Sequence, residues 1–340
     1  MSGEWIRESG QGREEEARRI TRSWRFHGLG VEIRGPVGIV GHYAEKFRYF
    51  PESPPLVDLR FEFETVPRPE DHVVPLPPSH ARPVYELPGG AVRYDDHRDI
   101  LHLGYGEEVR VRSEGRGGRI HFSILAPHEA RLWLTAHLFF TLSFMEILKR
   151  WGYFSLHAAA LAWKGEGVLL AGTSGCGKST LTLALLKGGF DFLSDDMNYL
   201  VSGEKGIEIR ALPDLCDLSE ETLAFFPELA GKYGGEKIPG LLKRQVRAEE
   251  HFSTAVRMSA PPRLLILPRI SDREESRFFP LRPAQAFREL VPNVLLTERT
   301  STQAHLDLLA RLVERCPVYR LETGRDFDRI PDEIRARLSP

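Results

Sequence analysis

The sequence predicts an α/β protein of α+β character, in which a larger α/β domain follows a smaller, mostly β module. Two observations carry that expectation. A glycine-rich loop lies between an apolar segment, Gly167–Ala171, and a helical one, Leu181–Lys187. Residues 31–125 are cut by Pro and Gly clusters into short segments of alternating polarity, the period of half-buried strands. A chain of 340 residues that is 41% hydrophobic and 28% charged can bury the core of one large or two ordinary domains.

Taken in order, residues 1 to about 23 read as a charged helix or tail. Met1–Ile20 holds five Glu and four Arg and has no apolar signal core. The β module spans 24–125, with strands at Val31–Arg34, Leu56–Val66, Pro83–Leu87, Ala91–Tyr94, Ile100–Leu103, Glu108–Arg112 and Ile120–Leu125 and one helix near Gly38–Phe47. Pro75-Leu76-Pro77-Pro78 and Gly115-Arg116-Gly117-Gly118 mark turns between them. The second, larger domain is expected over 126–340 and opens with a helix from about Pro127 to Trp151. Within it, Leu132–Leu148 holds His137 and Glu146 and is flanked by charge, so it reads as a buried helix and not a membrane span.

Ser155–Trp163 and Gly167–Ala171 read as two strands joined at Lys164-Gly165-Glu166, a hairpin entry unlike that of the usual βαβ nucleotide domain. Strands follow at Phe190–Leu193, Met197–Val201 and Ile207–Leu212, then a helix near Glu220–Phe226 and a basic, glycine-containing loop at 232–251. Arg263–Leu267 reads as a buried strand, Gln303–Arg315 as an amphipathic helix and Pro317–Leu321 as a last strand before a short C-terminal helix. No internal repeat is visible.

A formal charge of −2 offers no long-range attraction to nucleic acid or anionic lipid. Cys176, Cys216 and Cys316 lack disulfide or metal-ligand spacing, which suits a reducing cytoplasm.

Gly172-Thr173-Ser174-Gly175-Cys176-Gly177-Lys178-Ser179-Thr180 fits the phosphate-loop pattern G-x-x-x-x-G-K-S/T. Glycines let successive N–H groups turn toward one anion, and the following helix adds its positive N-terminal pole. The pattern implies a bound nucleoside triphosphate, with Lys178 on the β- and γ-phosphates and the Ser179 hydroxyl on Mg²⁺. Asp195-Asp196 closes the apolar strand Phe190–Leu193, 17 and 18 residues after Lys178. Paired carboxylates beside such a loop suit Mg²⁺-dependent phosphoryl transfer, one holding metal and one accepting a proton. Asp195 is the candidate metal ligand with Ser179, and Asp196 the candidate base; the reverse assignment stays open. An Asx-turn at a strand end is the plainer reading of the same pair.

His157, the loop Gly172–Ser179 and Asp195-Asp196 together resemble the catalytic domain of the HPr kinase/phosphorylase family, whose core is similar to ATP-dependent phosphoenolpyruvate carboxykinase. The family's catalytic histidine stands 21 residues before the loop lysine, as His157 does before Lys178. The match extends through Leu156-His157-Ala158-Ala159 and Gly188-Gly189-Phe190. More loosely, Val318-Tyr319-Arg320-Leu321 and Gly324-Arg325-Asp326 are similar to the shorter HPr-kinase-like proteins of peptide-modification clusters. The resemblance implies a phosphate-loop kinase core and transfer of the γ-phosphate of ATP, with Mg²⁺, to a serine- or threonine-type hydroxyl. The acceptor would be a peptide, small protein or small molecule. His157 would contact the transferring phosphate or tune the base; a core histidine on an apolar strand is the bland alternative. The chain departs from the family at Thr180, where the family usually has Glu, in a missing second glycine-rich motif and in its N-terminal module. The acceptor HPr itself and a reverse phosphorylase activity are therefore not implied. A homo-oligomer is left open.

Gly234-Gly235-Glu236-Lys237, with Lys243, Arg244 and Arg247, could cover the triphosphate or be a solvated basic loop. Arg263 is a weaker candidate for stabilising charge. Two other functions compete with a kinase. A non-catalytic ATP sensor would use the same site. A transporter-type ATPase would also need a Leu-Ser-Gly-Gly signature and a distant strand ending in Asp-Glu, and residues 200–300 hold neither.

Overall fold

The structure is a computed structural model that describes residues 18–53, 56–127, 135, 138–226 and 244–338. It is a mixed α/β chain that divides into two compact units, residues 1–151 and 152–340.

The first unit is built on eight strands: β1 (Arg19–Phe26), β2 (Leu29–Pro36), β3 (Leu59–Val66), β4 (Arg82–Leu87), β5 (Gly90–Asp95), β6 (Ile100–Tyr105), β7 (Val109–Glu114) and β8 (Arg119–Leu125). They form one sheet in the order β1-β2-β3-β8-β7-β6-β5-β4. Helix α1 (Val37–Lys46) makes the crossover that leaves β2 and β3 parallel. Strands β4 to β8 pair sequentially and antiparallel. Alternation sends Phe61, Phe63, Val111, Ile120 and Phe122 to one buried face. Helix α2 (Phe140–Leu148) lays Phe140 and Phe144 against Phe61, Tyr43 and Phe26, with ring centroids 4.6–5.9 Å apart.

Two expectations change here. Residues 19–23 belong to a strand and not to a charged helix or tail. Trp24 and Phe26 point into the aromatic core while Arg25 between them faces outward, a period of two that Met1–Ile20 alone does not show. Helix α2 groups with the β sheet and not with residues 152–340, because its apolar side completes the aromatic layer. Below α2, Lys149 Nζ meets Glu146 Oε2 at 2.8 Å with both side chains buried, and Arg150 binds Glu146, Asp99 and the Tyr94 hydroxyl.

The second unit holds a nine-stranded mixed sheet. Its strands are β9 (Phe154–Trp163), β10 (Glu166–Ala171), β11 (Asp191–Ser194), β12 (Met197–Gly203), β13 (Gly206–Ala211), β16 (Ser259–Ala260), β17 (Pro262–Ile270), β18 (Arg277–Pro280) and β19 (Val318–Thr323). The order is β16-β13-β12-β9-β10-β17-β19-β18, with β11 also on β9. β10, β17 and β19 run parallel; the remaining pairs are antiparallel. A separate hairpin pairs β14 (Cys216–Leu218) with β15 (Arg244–Val246).

Both faces of this sheet are covered. Ala159, Leu161, Val168 and Leu170 meet α3 (Lys178–Lys187) and α8 (Ile330–Leu338) through Leu181, Leu185, Ile330 and Ile334. Alternate residues Leu156, Ala158, Ala160 and Leu169 meet α6 (Pro283–Leu290) and α7 (Arg299–Arg315) through Leu290, Leu308 and Leu312. Short helices α4 (Glu220–Ala224) and α5 (Ala248–His251) complete the unit. Strands β14, β15, β16 and β18 and helices α5 and α6 are not foreseen in the sequence, which reads 232–251 as a loop; five of the six are two to four residues long, too short to show a period. Among the described residues no helix is long and apolar enough to cross a membrane.

Candidate active site

Strand β9 assembles the site. On one side Ala158 pairs with Ala171, the last residue of β10, so the glycine-rich loop departs level with His157. On the other side β9 changes partner partway along. Its first residues pair with β12, where His157 faces Met197, and its later ones with β11, where Ala160 faces Ser194. Asp195 and Asp196 are the link between those two strands, so they sit against Ala158. Alternation along β9 puts His157 on the face of Ala159 and Leu161, the face that α3 covers.

Residues 172–177 connect β10 to α3. Gly175 and Gly177 take positive φ, 81° and 100°, where a side chain would be strained. A Cβ at Gly172 would fall 2.7 Å from Cys176 Sγ. Gly177 caps α3 without a side chain, which leaves the first N–H groups of the helix facing the loop. Lys178 Nζ donates to the carbonyls of Gly172 and Thr173, at 2.7 and 3.2 Å, and is held across the mouth of the loop. Thr180 turns away from that mouth: its hydroxyl bonds that of Thr222 at 3.2 Å, and Thr222 bonds the helix-capping Ser219 at 3.0 Å.

The two aspartates occupy different surroundings. Asp195 is buried, and Ser179 Oγ donates to its Oδ2 at 3.4 Å. The Asp196 side chain is 67% exposed, with Oδ1 2.9 Å from His157 Nδ1. The backbone of Asp196 is nonetheless fixed, since its carbonyl accepts from the Ala158 N–H at 2.9 Å. Ser194 closes the turn by bonding the Met197 carbonyl at 2.8 Å. Two separations of 16 and 39 residues along the chain thus become a hydrogen bond and an ion pair.

Other sequence candidates lie elsewhere. Arg263 pairs with Glu166 at the opposite end of β10 from the loop, where Pro262 faces Gly167, so it cannot stabilise charge there. Residues 234–243, with Lys237 and Lys243, lie outside the described residues, as does His137. Arg247 pairs with Glu250 at 3.1 Å.

Sequence reasoning missed Ile270. Parallel pairing of β17 with β10 carries the end of β17 to the loop. There Ile270 Cγ1 lies 3.6 Å from the position of a Cβ on Gly177, yet Ile270 is 65% exposed. Ligands bind at the carboxyl ends of parallel strands, and an exposed branched side chain there is a signal only structure reveals.

Neither a protein-family model nor a curated protein sequence matches this chain. A solved structure, that of the Hpr(Ser) kinase/phosphatase from Coxiella burnetii, is similar to it. The similarity covers 54% of this chain and 93% of that one at 19% identity, with a TM-score of 0.28. It is a distant resemblance, and the functional reading rests on the site's own geometry.

Proposed function

We propose that the second unit is an ATP-dependent phosphotransferase whose acceptor is a hydroxyl group. One observation carries the reading: two adjacent carboxylates at one strand end take opposite environments, Asp195 buried against Ser179 at the start of α3 and Asp196 exposed beside His157. Environments that separate two carboxylates separate their roles.

The loop N–H groups and Lys178 would bind the triphosphate. The residues fit Mg²⁺: a buried carboxylate and a hydroxyl converge, and Mg²⁺ is ordinarily held by one or two such groups together with substrate phosphates and water. Among the described residues no group of three or more His, Cys, Asp or Glu side chains is arranged to hold a metal, as an all-protein cage would be. Asp195 and Ser179 would hold the ion, which when bound supplies charge neutralisation on the phosphate oxygens.

Asp196, open to solvent, would accept the proton of the acceptor hydroxyl. As that oxygen bonds to the γ-phosphorus, the bond from the γ-phosphorus to the β,γ-bridging oxygen breaks and ADP leaves with the electron pair. His157 would orient Asp196 and share the proton. Serine- or threonine-type hydroxyls on a peptide, small protein or small molecule are the substrate class.

The test is transfer of label from γ-labelled ATP, with Mg²⁺, to free serine and to Ser/Thr peptides. Loss of transfer in Lys178→Ala and Asp196→Asn supports the reading. Tight ATP binding with neither transfer nor hydrolysis, in every acceptor tried, would make the site a sensor.

A further inference from the structure

Strand β9 has a gap in its hydrogen-bond ladder at the most consequential point of the site. β12 reaches only as far as Met197, opposite His157, and β11 ends with Ser194, opposite Ala160. The two-residue link Asp195-Asp196 leaves the backbone groups of Ala158 to be satisfied by other means, and buried backbone groups must be satisfied. The Ala158 N–H is taken by the Asp196 carbonyl. The Ala158 carbonyl is taken by a side chain: Asn198 Nδ2 donates to it at 2.7 Å.

Asn198 is fully buried, on a strand whose neighbours Tyr199 and Leu200 are core residues. Its Oδ1 has no hydrogen-bond partner among the described residues. The amide cannot be flipped to relieve this, because the Ala158 carbonyl accepts and so requires the NH₂ group. A buried, half-satisfied amide costs stability relative to an apolar residue of the same shape. Leucine would suit this position better by burial alone, and β12 would keep its pairing through the ladder it already has from Met197 to Leu200.

We propose that Asn198 is a positioning residue: it clamps Ala158 so that His157, one residue before it, stays against Asp196. The clamp acts at a single peptide with three attachments. Ala158 stands opposite Ala171 at the start of the loop on one side; it holds Asp196 on the other; and it carries His157. Losing the clamp releases the His157–Asp196 pair while leaving Lys178 and Ser179 in place, since those two belong to α3 and Lys178 is held by the loop carbonyls. The catalytic consequence rests on the phosphotransferase reading; the structural one does not.

The experiment uses the full chain and two readouts. The first is the ¹⁵N signals of the His157 ring, assigned with His157→Gln and compared with Asp196→Ala. The second is kcat and KM for ATP in phosphate transfer. Asn198→Leu removes donor and orphan acceptor together, and Asn198→Ser serves if that protein fails to fold. In either variant the His157 signals move to the positions seen in Asp196→Ala. The kcat falls on the order of 10²-fold, the loss typical of a small misplacement, while KM for ATP stays within about threefold. Unchanged His157 signals in a folded Asn198 variant overturn the proposal. So does a fall confined to KM. If the unaltered chain transfers no phosphate, the phosphotransferase reading fails, and the ring signals still decide whether Asn198 positions His157.

Discussion

Ser179 Oγ and Asp195 Oδ2 lie 3.4 Å apart, with the carboxylate buried and the hydroxyl on the second residue of α3. On the proposed reading this carboxylate and hydroxyl would hold Mg²⁺ together with substrate phosphates, the way that ion is ordinarily bound. Asp195→Asn should weaken Mg²⁺-dependent ATP binding by at least about tenfold, the scale on which single metal-site partners act. Titrating Mg²⁺ against a fluorescent ATP analogue measures it; an unaltered Mg²⁺ requirement would remove Asp195 from the metal site.

Asp196→Asn should behave differently. Its carboxylate is exposed and its loss leaves the loop intact, so ATP binding should persist while transfer falls by roughly 10²–10⁴, the usual worth of a general base. Paired binding and turnover measurements separate the two aspartates. Equal losses of binding in both variants would argue against divided roles.

Lys178→Met tests the loop itself. The ammonium is bound to two loop carbonyls and stands at the helix N-terminus, where it would meet phosphate. Transfer should drop on the order of 10³-fold, as when one preorganised charge-stabilising group is removed. A variant that retains full transfer would exclude the loop as the phosphate cradle.

The three cysteines report on the loop without an assay for activity. Cys176 is partly exposed, whereas Cys216 and Cys316 are buried, and burial pushes the Cys316 thiol up to about 12 against a small opposing effect of Arg263. Maleimide should therefore modify Cys176 in the folded protein and spare the other two. ATP with Mg²⁺ should slow that labelling, followed by mass spectrometry; no protection at saturating ATP would count against binding there.

In the first unit, stability should depend on acid. Burial of Asp99 opposes its charge, but hydrogen bonds from Arg150 and Tyr94 and the Arg150 charge outweigh it and hold the carboxyl below its ordinary value. A carboxyl depressed in the folded state contributes stability above its unfolded value near 4, and that contribution is lost as pH falls through the lower folded value. The urea midpoint should fall below about pH 4, less steeply in Arg150→Met. Lys149→Met, which strips the buried Glu146 of one cation, should cost about 3–5 kcal/mol at neutral pH.

Much of the architecture was legible because it is local. The strands from Val31 to Leu125 declare themselves by a period of two, and the loop Gly172–Ser179 by a motif whose glycines answer to backbone geometry. The strand at Arg19–Phe26 is hidden because Arg22 interrupts the apolar phase Ile20, Trp24 and Phe26 and leaves no unbroken alternation. Arg263 looked plausible beside a buried strand, yet the parallel register of β17 sends it to the far end of β10. Asn198 carried no signal at all, since a side chain that replaces a ladder bond looks like any polar residue in a strand.

By itself the sequence determined the chemical inventory: a glycine-rich loop of the phosphate-loop pattern, a histidine and two adjacent carboxylates, with a mixed α/β fold class. Spacing along a chain reports backbone conformation, and these motifs are conformational. Only the tertiary structure decided that Asp195 is buried against Ser179 while Asp196 faces solvent beside His157. That division comes from β9 exchanging one partner strand for another at Ala158, a pairing between segments about 40 residues apart that no local pattern encodes.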